Sequence, residues 1–293
     1  MQIPHTRAVA WPELRESRFA SLIRTESAEG CAVGLIGLPD DTGVALNFGN
    51  PGAGTGPDAF RAALAQYGTA TPESLNWPAV FDVGNVQPGT ELDETHRRVT
   101  EATAALLDAG LLPVAIGGGH DLTFPFVRAV AERSGPLGGI YLDAHLDVRE
   151  EPGSGMPFRA LVEHSGVARL DVIGLDRFSN THDHTRWFLA HGGRIDALEP
   201  NGDWPGEDLF VSIDLDAIDA SHAPGVSARN PAGLSVREAA AWAYAAGASP
   251  LVRCFDIMEL CPPRDEHART ARVAARLFLE FLAGLTTRGD RPE

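Results

Sequence analysis

The sequence predicts an α/β fold with one parallel sheet and helices on both of its faces. Three observations carry that expectation. Short runs rich in Val, Ile and Leu recur along the 293 residues. They largely lack the alternation of a half-exposed strand, as expected of strands covered on both sides. Segments of helical periodicity lie between them, and alternating strand and helix is the pattern of a parallel sheet. Hydrophobic residues make up 44% of the chain, enough for a sizeable core. No repeat, low-complexity tract or linker divides it, so the expected organisation is an N-terminal extension, residues 1–30, packed on a single domain, 31–293.

In chain order, the first expected strand is 31–37. Pro57 follows Gly56 and suits a first helical position, opening a helix toward Tyr67 and Gly68. A strand at 78–83 follows. The helix at 93–109 places Val99, Ala102 and Leu106 on one face and stops at Gly110. Further strands are expected at 112–116, 139–143, 170–174, 209–214 and 251–257. Ser235-Val-Arg-Glu238 has the spacing of a capping box, and Gly247 closes that helix, within which Trp242 and Tyr244 read as packing residues. A last helix begins near Thr270, with Val273, Leu277, Phe281 and Leu285 as its apolar stripe.

Composition removes several functions. Forty acidic against 24 basic residues give a net charge of -16, the opposite of a nucleic-acid footprint. The same excess is mildly awkward for an anionic substrate, although screening weakens repulsion beyond about 8 Å. Cys31, Cys254 and Cys261 have no framework spacing, which suggests a reducing compartment. Cys31 and Cys254 lie in apolar runs and read as small core residues. Residues 1–24 lack a signal-peptide apolar region, and no run is long enough to span a bilayer. The expectation is a cytoplasmic protein with a small-molecule partner, no nucleic acid and no membrane.

Ligands of open α/β sheets bind beyond the carboxyl ends of the strands. There the sequence places Gly117-Gly-Gly-His120-Asp121, Asp143-Ala-His145-Leu-Asp147, Asp214-Leu-Asp216 and Met258-Glu259. Each is weak alone. Asp143, His145 and Asp147 would share a face if the strand continued, but a hydrogen-bonded turn explains them as well. Asp214 and Asp216 suit a turn or a helix cap. The three glycines suit a tight turn or a phosphate cradle, though no Lys-Ser/Thr follows as a nucleotide loop requires. Together they are two histidines and four aspartates from three strand ends. Four neighbouring carboxylates repel and do not all stay ionised without cations. Two divalent ions resolve this, and carboxylate with imidazole suits manganese. Bridging carboxylates hold such ions about 3.5–4 Å apart, and a water between them loses a proton near neutral pH. His182 and His184 read as part of a solvated loop, since six stronger ligands suffice. Arg177 and Arg229, in loops at the edge of this site, either recognise an anionic substrate or are surface arginines.

These motifs, in this order, resemble the three metal-binding motifs of the ureohydrolase (arginase–agmatinase) superfamily, and the resemblance runs from about Val33 to Leu282. Asp256-Ile-Met-Glu259, with Asp265 and Thr270, is similar to the family's C-terminal signature. The resemblance implies a three-layer α/β/α sandwich, trimers or hexamers, and two Mn2+ per subunit. His120, Asp143, Asp147 and Asp214 would hold one ion; Asp143, His145, Asp214 and Asp216 the other. Glu259 would bind the amidine or guanidine group through paired charge-assisted hydrogen bonds. Ala223-Pro-Gly-Val-Ser227, Ser154-Gly-Met-Pro-Phe158 and Asp41-Thr-Gly-Val44 resemble the formimidoylglutamase branch. The implied reaction is N-formimidoyl-L-glutamate plus water to L-glutamate and formamide. The chain departs from that branch at Asn50, where an arginine is expected, and at Met156. Ser154 stands where arginases and agmatinases carry a proton-shuttling histidine, leaving Asp147 as the proton carrier. Asp147 and Glu259 are thus the candidate catalytic residues, and Ser154, Asn180, Arg177 and Arg229 the candidate substrate contacts. The alternatives are an agmatinase-like or guanidino-acid hydrolase releasing urea, and a non-catalytic metal-binding regulatory protein.

Overall fold

The computed structural model describes residues 3–68 and 77–289. The outer ends of the two expected segments, 1–2 and 290–293, lie outside the described residues, as do 69–76. The strands are β1 (Thr6–Arg7), β2 (Val33–Leu38), β3 (Val80–Val86), β4 (Leu112–Gly117), β5 (Gly138–Leu142), β6 (Arg169–Ile173), β7 (Gly193–Ile195), β8 (Leu209–Asp214) and β9 (Val252–Met258). They form one sheet in the order β1-β3-β2-β4-β9-β8-β5-β6-β7. Only β1 runs antiparallel to its neighbour; every other pairing is parallel.

The helices are α1 (Thr42–Leu46), α2 (Gly56–Leu64), α3 (Leu92–Asp108), α4 (Thr123–Ser134), α5 (Pro157–Ser165), α6 (His182–Ala190), α7 (Val236–Ala248) and α8 (Arg269–Leu285). They cover two faces, and strand alternation decides which core each side chain joins. Leu35, Ile116, Ile140, Val211 and Phe255 pack with α2, α7 and α8. Ile36, Ala115, Tyr141, Phe210 and Cys254 pack with α3, α4, α5 and α6. Phe255 stacks on Phe281 at 4.3 Å on the first face, and Tyr141 on Phe158 at 3.6 Å on the second. Each such fully buried ring contributes roughly 1.5–3 kcal/mol. The molecule is therefore the expected three-layer sandwich.

Several details differ from the sequence reading. β1 and β7 were not expected; two and three residues are too few to form an apolar run. Helices α1, α4, α5 and α6 were likewise unassigned, and α6 occupies the stretch read as a solvated loop. Thr181 caps it by accepting from the His184 backbone N–H. In the N-terminal segment β1 extends the sheet edge, and Trp11 Nε1 donates to Asp82 Oδ2 at 2.9 Å. The same carboxylate receives a two-point bond from buried Arg61, at 2.8 Å each. Trp242 is buried and stacks on Trp204, but Tyr244 is 39% exposed. Cys31 is only half-buried, unlike Cys254. The capping box at Ser235 and Glu238 forms as read. No helix among the described residues is long and apolar enough to cross a membrane.

Candidate functional site

Four adjacent central strands, β4, β9, β8 and β5, carry the polar motifs at their carboxyl ends. After β4 the chain turns through three glycines into His120. A Cβ on Gly118 would stand 1.9 Å from the Asp40 carbonyl oxygen, so only glycine lets the two segments meet. After β5 and β8 the same local device appears twice. Asp143 Oδ1 accepts the His145 N–H at 2.6 Å, and Asp214 Oδ1 accepts the Asp216 N–H at 2.7 Å. One oxygen of each aspartate shapes its own turn while the other faces the cluster. The turn reading holds at both aspartates, and it leaves each with an oxygen free for the cluster.

His120 Nδ1 lies 3.2 Å from Asp143 Oδ2 and 3.1 Å from both Asp147 Oδ2 and Asp214 Oδ2. His145 Nδ1 lies 3.1 Å from Asp216 Oδ2 and 3.4 Å from Asp143 Oδ1. Two groups result, His120 with Asp143, Asp147 and Asp214, and His145 with Asp143 and Asp216, the ligand atoms of each lying within 4.8 Å of one another. Asp143 joins both. Asp214 was expected to bridge as well; its ligand atom converges with the first group.

The chemistry of this donor set fits cations. One imidazole nitrogen carries at most one proton, yet three carboxylate oxygens converge on His120 Nδ1, and Asp143 Oδ2 has no hydrogen-bond partner among the described residues. Burial, then the charges of Asp147 and Asp216, push the Asp143 carboxyl up to about 6. Burial, then Asp216 and Asp143, push Asp214 well above the usual range. Burial opposes charge on His120, but Asp143, Asp147 and Asp214 outweigh it and raise its pKa. Such a cage keeps its carboxylates ionised when divalent ions sit among them.

Behind His120 a relay fixes the ring. His120 Nε2 lies 3.1 Å from Ser212 Oγ, which donates to buried Asp256 Oδ1. With Nε2–H donating to Ser212, Nδ1 presents its lone pair to the cluster. Burial pushes Asp256 up to about 6 against the opposing pull of Ser212. A folded pKa above the unfolded 3.8 means that the ionised form is disfavoured by folding. The penalty is absent below 3.8 and complete above 6. Two units at about 1.4 kcal/mol each give about 3 kcal/mol. Urea denaturation of metal-free Asp256→Asn should therefore show it more stable than wild type by about this much at pH 7, with the gap closing toward pH 4. A gap independent of pH would contradict the assignment.

A cavity of about 200 Å³ opens over the cluster. Glu259 lines it, buried, its backbone in the left-handed region at φ 65, as is that of Asp147 at φ 48. Such strain in non-glycine residues collects at functional sites. Glu259 Oε1 accepts the His120 N–H at 3.0 Å, and Oε2 has no hydrogen-bond partner among the described residues. Burial, then the charges of Asp214 and Asp216, raise its pKa well above the ordinary value.

The four expected substrate contacts divide. Ser154 lines the cavity, accepting from Asn47 Nδ2 at 3.1 Å. Asn180 lines it too, but its Oδ1 accepts from the Leu146 N–H and its Nδ2 donates to the Ala144 and Asp176 carbonyls. That side chain holds the ligand-bearing loop. Arg177 is exposed outside the cavity, its guanidinium 4.7 Å from the Phe178 ring. Arg229 clamps a loop by donating to the Pro224 and Arg264 carbonyls. Asn50 also binds loop to loop, through Ser227. The sequence reading missed Asn47, Arg149 and Ser227 in the lining and set His184 aside; His184 lines the cavity but belongs to neither metal group. A larger cavity, about 840 Å³, lies between the N-terminal segment and α2. Arg61 and Trp11 in its lining are paired within the protein, and among the described residues it borders no orphaned buried polar atom, so the smaller cavity is the functional candidate.

The family model described as the arginase family matches residues 31–284. The chain belongs to the arginase family. Among arginase-family relatives it is similar to the mitochondrial guanidino acid hydrolase of Homo sapiens, 31% identical over 284 residues, 88% of this chain and 80% of that protein. It is 37% identical over 265 residues to the formimidoylglutamase of Nocardia farcinica, covering 83% and 84% of the two chains. The crystal structure of Trypanosoma cruzi formiminoglutamase with Mn2+2 superposes with a TM-score of 0.84 at 31% identity, over 93% of this chain and 99% of that one.

Proposed function

We propose that this arginase-family hydrolase cleaves the linear C–N bond of an amidine, with N-formimidoyl-L-glutamate giving L-glutamate and formamide as the first choice. The observation that carries the reading is Glu259: a buried, cavity-lining carboxylate oxygen without a hydrogen-bond partner among the described residues, beside two groups of side chains that could hold a metal ion. A planar amidinium N–H pair supplies the missing donors.

His120, Asp143, Asp147 and Asp214 would hold one Mn2+, and Asp143, His145 and Asp216 the other. Bound there, the pair supplies the acidity that ionises a water near neutral pH and the positive charge that polarises the substrate. The chain's own groups do the rest. The His120 N–H fixes one oxygen of Glu259, so the carboxylate cannot turn away from the amidinium. The Ser212–Asp256 relay fixes His120. Asp147, half-buried and lining the cavity, would take up the proton that the water gives up and deliver it to the leaving nitrogen. The Ser154 hydroxyl does not titrate near neutral pH and leaves that task to Asp147.

Similarity to the human guanidino acid hydrolase favours a second reading, urea release from a guanidino acid. The test offers manganese-loaded protein formimidoylglutamate, 4-guanidinobutyrate, agmatine and arginine in parallel. Formamide from the first alone is expected. Urea from a guanidine would replace the substrate and keep the site. Two bound metals with no product from any of the four would favour a metal-binding regulatory protein. Trimers or hexamers are the expected assembly, to be read by sedimentation.

A further inference from the structure

One wall of the cavity carries a cation that no acid among the described residues pairs with. Arg149 is the only lysine or arginine in the lining among the described residues, and all 24 basic residues of this chain are arginine. It follows Asp147 and Val148 directly, so the loop that supplies a metal ligand also places the guanidinium. Its backbone N–H is tied to the Gly155 carbonyl at 2.8 Å. A Cβ on Gly155 would stand 3.0 Å from Arg149 Cδ, so the turn after Ser154 packs along the side chain. Among the described residues the guanidinium makes one long hydrogen bond, to Asn47 Oδ1 at 3.4 Å, and no ion pair. Its neighbour Glu150 turns instead to Arg159. Its place in the lining, and not the lack of an ion pair, sets it apart from Arg177 and Arg229.

The cavity is thus bipolar. At the floor, Glu259 accepts from a cationic N–C–N group. At the wall, Arg149, Asn47 and Ser154 face what extends away from it.

We infer that Arg149 sets substrate specificity by binding the carboxylate of an amidino acid, selecting linear substrates with a cationic amidine at one end and an anion at the other. The inference deepens the proposed function and rests on its assignment of Glu259 to the amidine. It assigns to Arg149 the anion recognition first sought at Arg177 and Arg229, and it needs no arginine at position 50. A cationic tail such as the primary amine of agmatine meets like charge at this wall and is disfavoured.

The test uses manganese-loaded wild type, Arg149→Leu, Arg149→Lys and, as a comparison outside the cavity, Arg177→Leu. L-glutamate, which needs no turnover, is titrated calorimetrically into each. Removal of a charge-assisted hydrogen-bonding partner should weaken binding by about 10- to 100-fold in Arg149→Leu. Arg149→Lys should recover part of it, and Arg177→Leu should match wild type. In steady-state assays KM for the anionic substrate should rise by a similar factor with kcat nearly unchanged, the signature of a group that binds substrate and transition state alike. The preference for anionic over cationic tails should fall with it. Equal glutamate affinity in wild type and Arg149→Leu would overturn the inference, even if wild type hydrolyses formimidoylglutamate. Arg149-dependent glutamate binding without turnover of formimidoylglutamate would uphold the carboxylate contact and overturn the proposed substrate instead.

Discussion

Glu259→Gln is expected to lose about 10³-fold or more in kcat/KM while both metal ions stay bound. The carboxylate belongs to neither group of converging ligand atoms, so metal content measured by atomic emission should not move. Turnover should collapse because the amide offers one acceptor where the amidinium needs a charged pair, and turns N–H groups toward the substrate's own. The His120 N–H bond to Oε1 remains available to the glutamine carbonyl, so the fold has no reason to change. Simultaneous loss of metal and activity would make Glu259 a ligand. Retained activity would remove it from the reaction.

Asp143→Asn should show two effects of opposite sign. Asp143 is shared by both ligand groups, so the variant should hold less than one ion per chain and lose turnover by several kcal/mol of transition-state stabilisation, about 10³-fold or more. With metal stripped by chelator, however, the variant should unfold at a higher temperature than wild type. Burial, Asp147 and Asp216 raise the folded pKa of Asp143 to about 6 from 3.8. Ionisation at pH 7 therefore opposes folding of the metal-free protein, and the neutral amide removes that opposition. Added manganese should reverse the order, since only wild type gains binding free energy. Calorimetric scans with chelator and with manganese give all four values. A variant less stable under both conditions would contradict the cage.

The architecture was legible in the sequence because central strands buried on both faces must be apolar throughout. Seven of the nine strands announce themselves in this way. The two edge strands do not: Thr6–Arg7 and Gly193–Ile195 owe their conformation to a neighbour's hydrogen bonds. α4 was hidden behind the glycine-histidine motif it follows, although Phe126, Val127 and Val130 show its buried face. α6 was hidden by its polar first turn, although Thr181 two residues ahead of Asp183 is a readable cap. The ligand set was legible because its spacing sits at strand ends, where sheet geometry fixes direction. The cavity wall was not, because Asn47, Arg149 and Ser227 stand in loops whose meeting depends on the finished fold. Arg177 and Arg229 look equally suitable in sequence. Nothing in their local pattern reveals that one leans on Phe178 and the other on two carbonyls.

The strand order has a consequence for how the protein comes into being. The first four strands, β1 to β4, assemble one half of the sheet, and the next four, β5 to β8, the other. Neither half pairs with the other directly. They are joined by β9, the last strand of the chain, which enters between β4 and β8 as a keystone. The reactive groups straddle that seam, with His120 on one half, Asp143, His145, Asp147, Asp214 and Asp216 on the other, and Glu259 on the keystone itself. The contacts that close the seam are those that order the site, His120 to Ser212, Ser212 to Asp256, and the His120 N–H to Glu259 across 139 residues of sequence. Pairing over such separations is the slow part of folding. A chain emerging from the ribosome holds two half-sheets with open edges until residue 258 arrives, and those edges are the points at which an unfinished molecule is exposed to aggregation. Arrival of one strand closes the sheet and creates the metal-binding cavity in the same event.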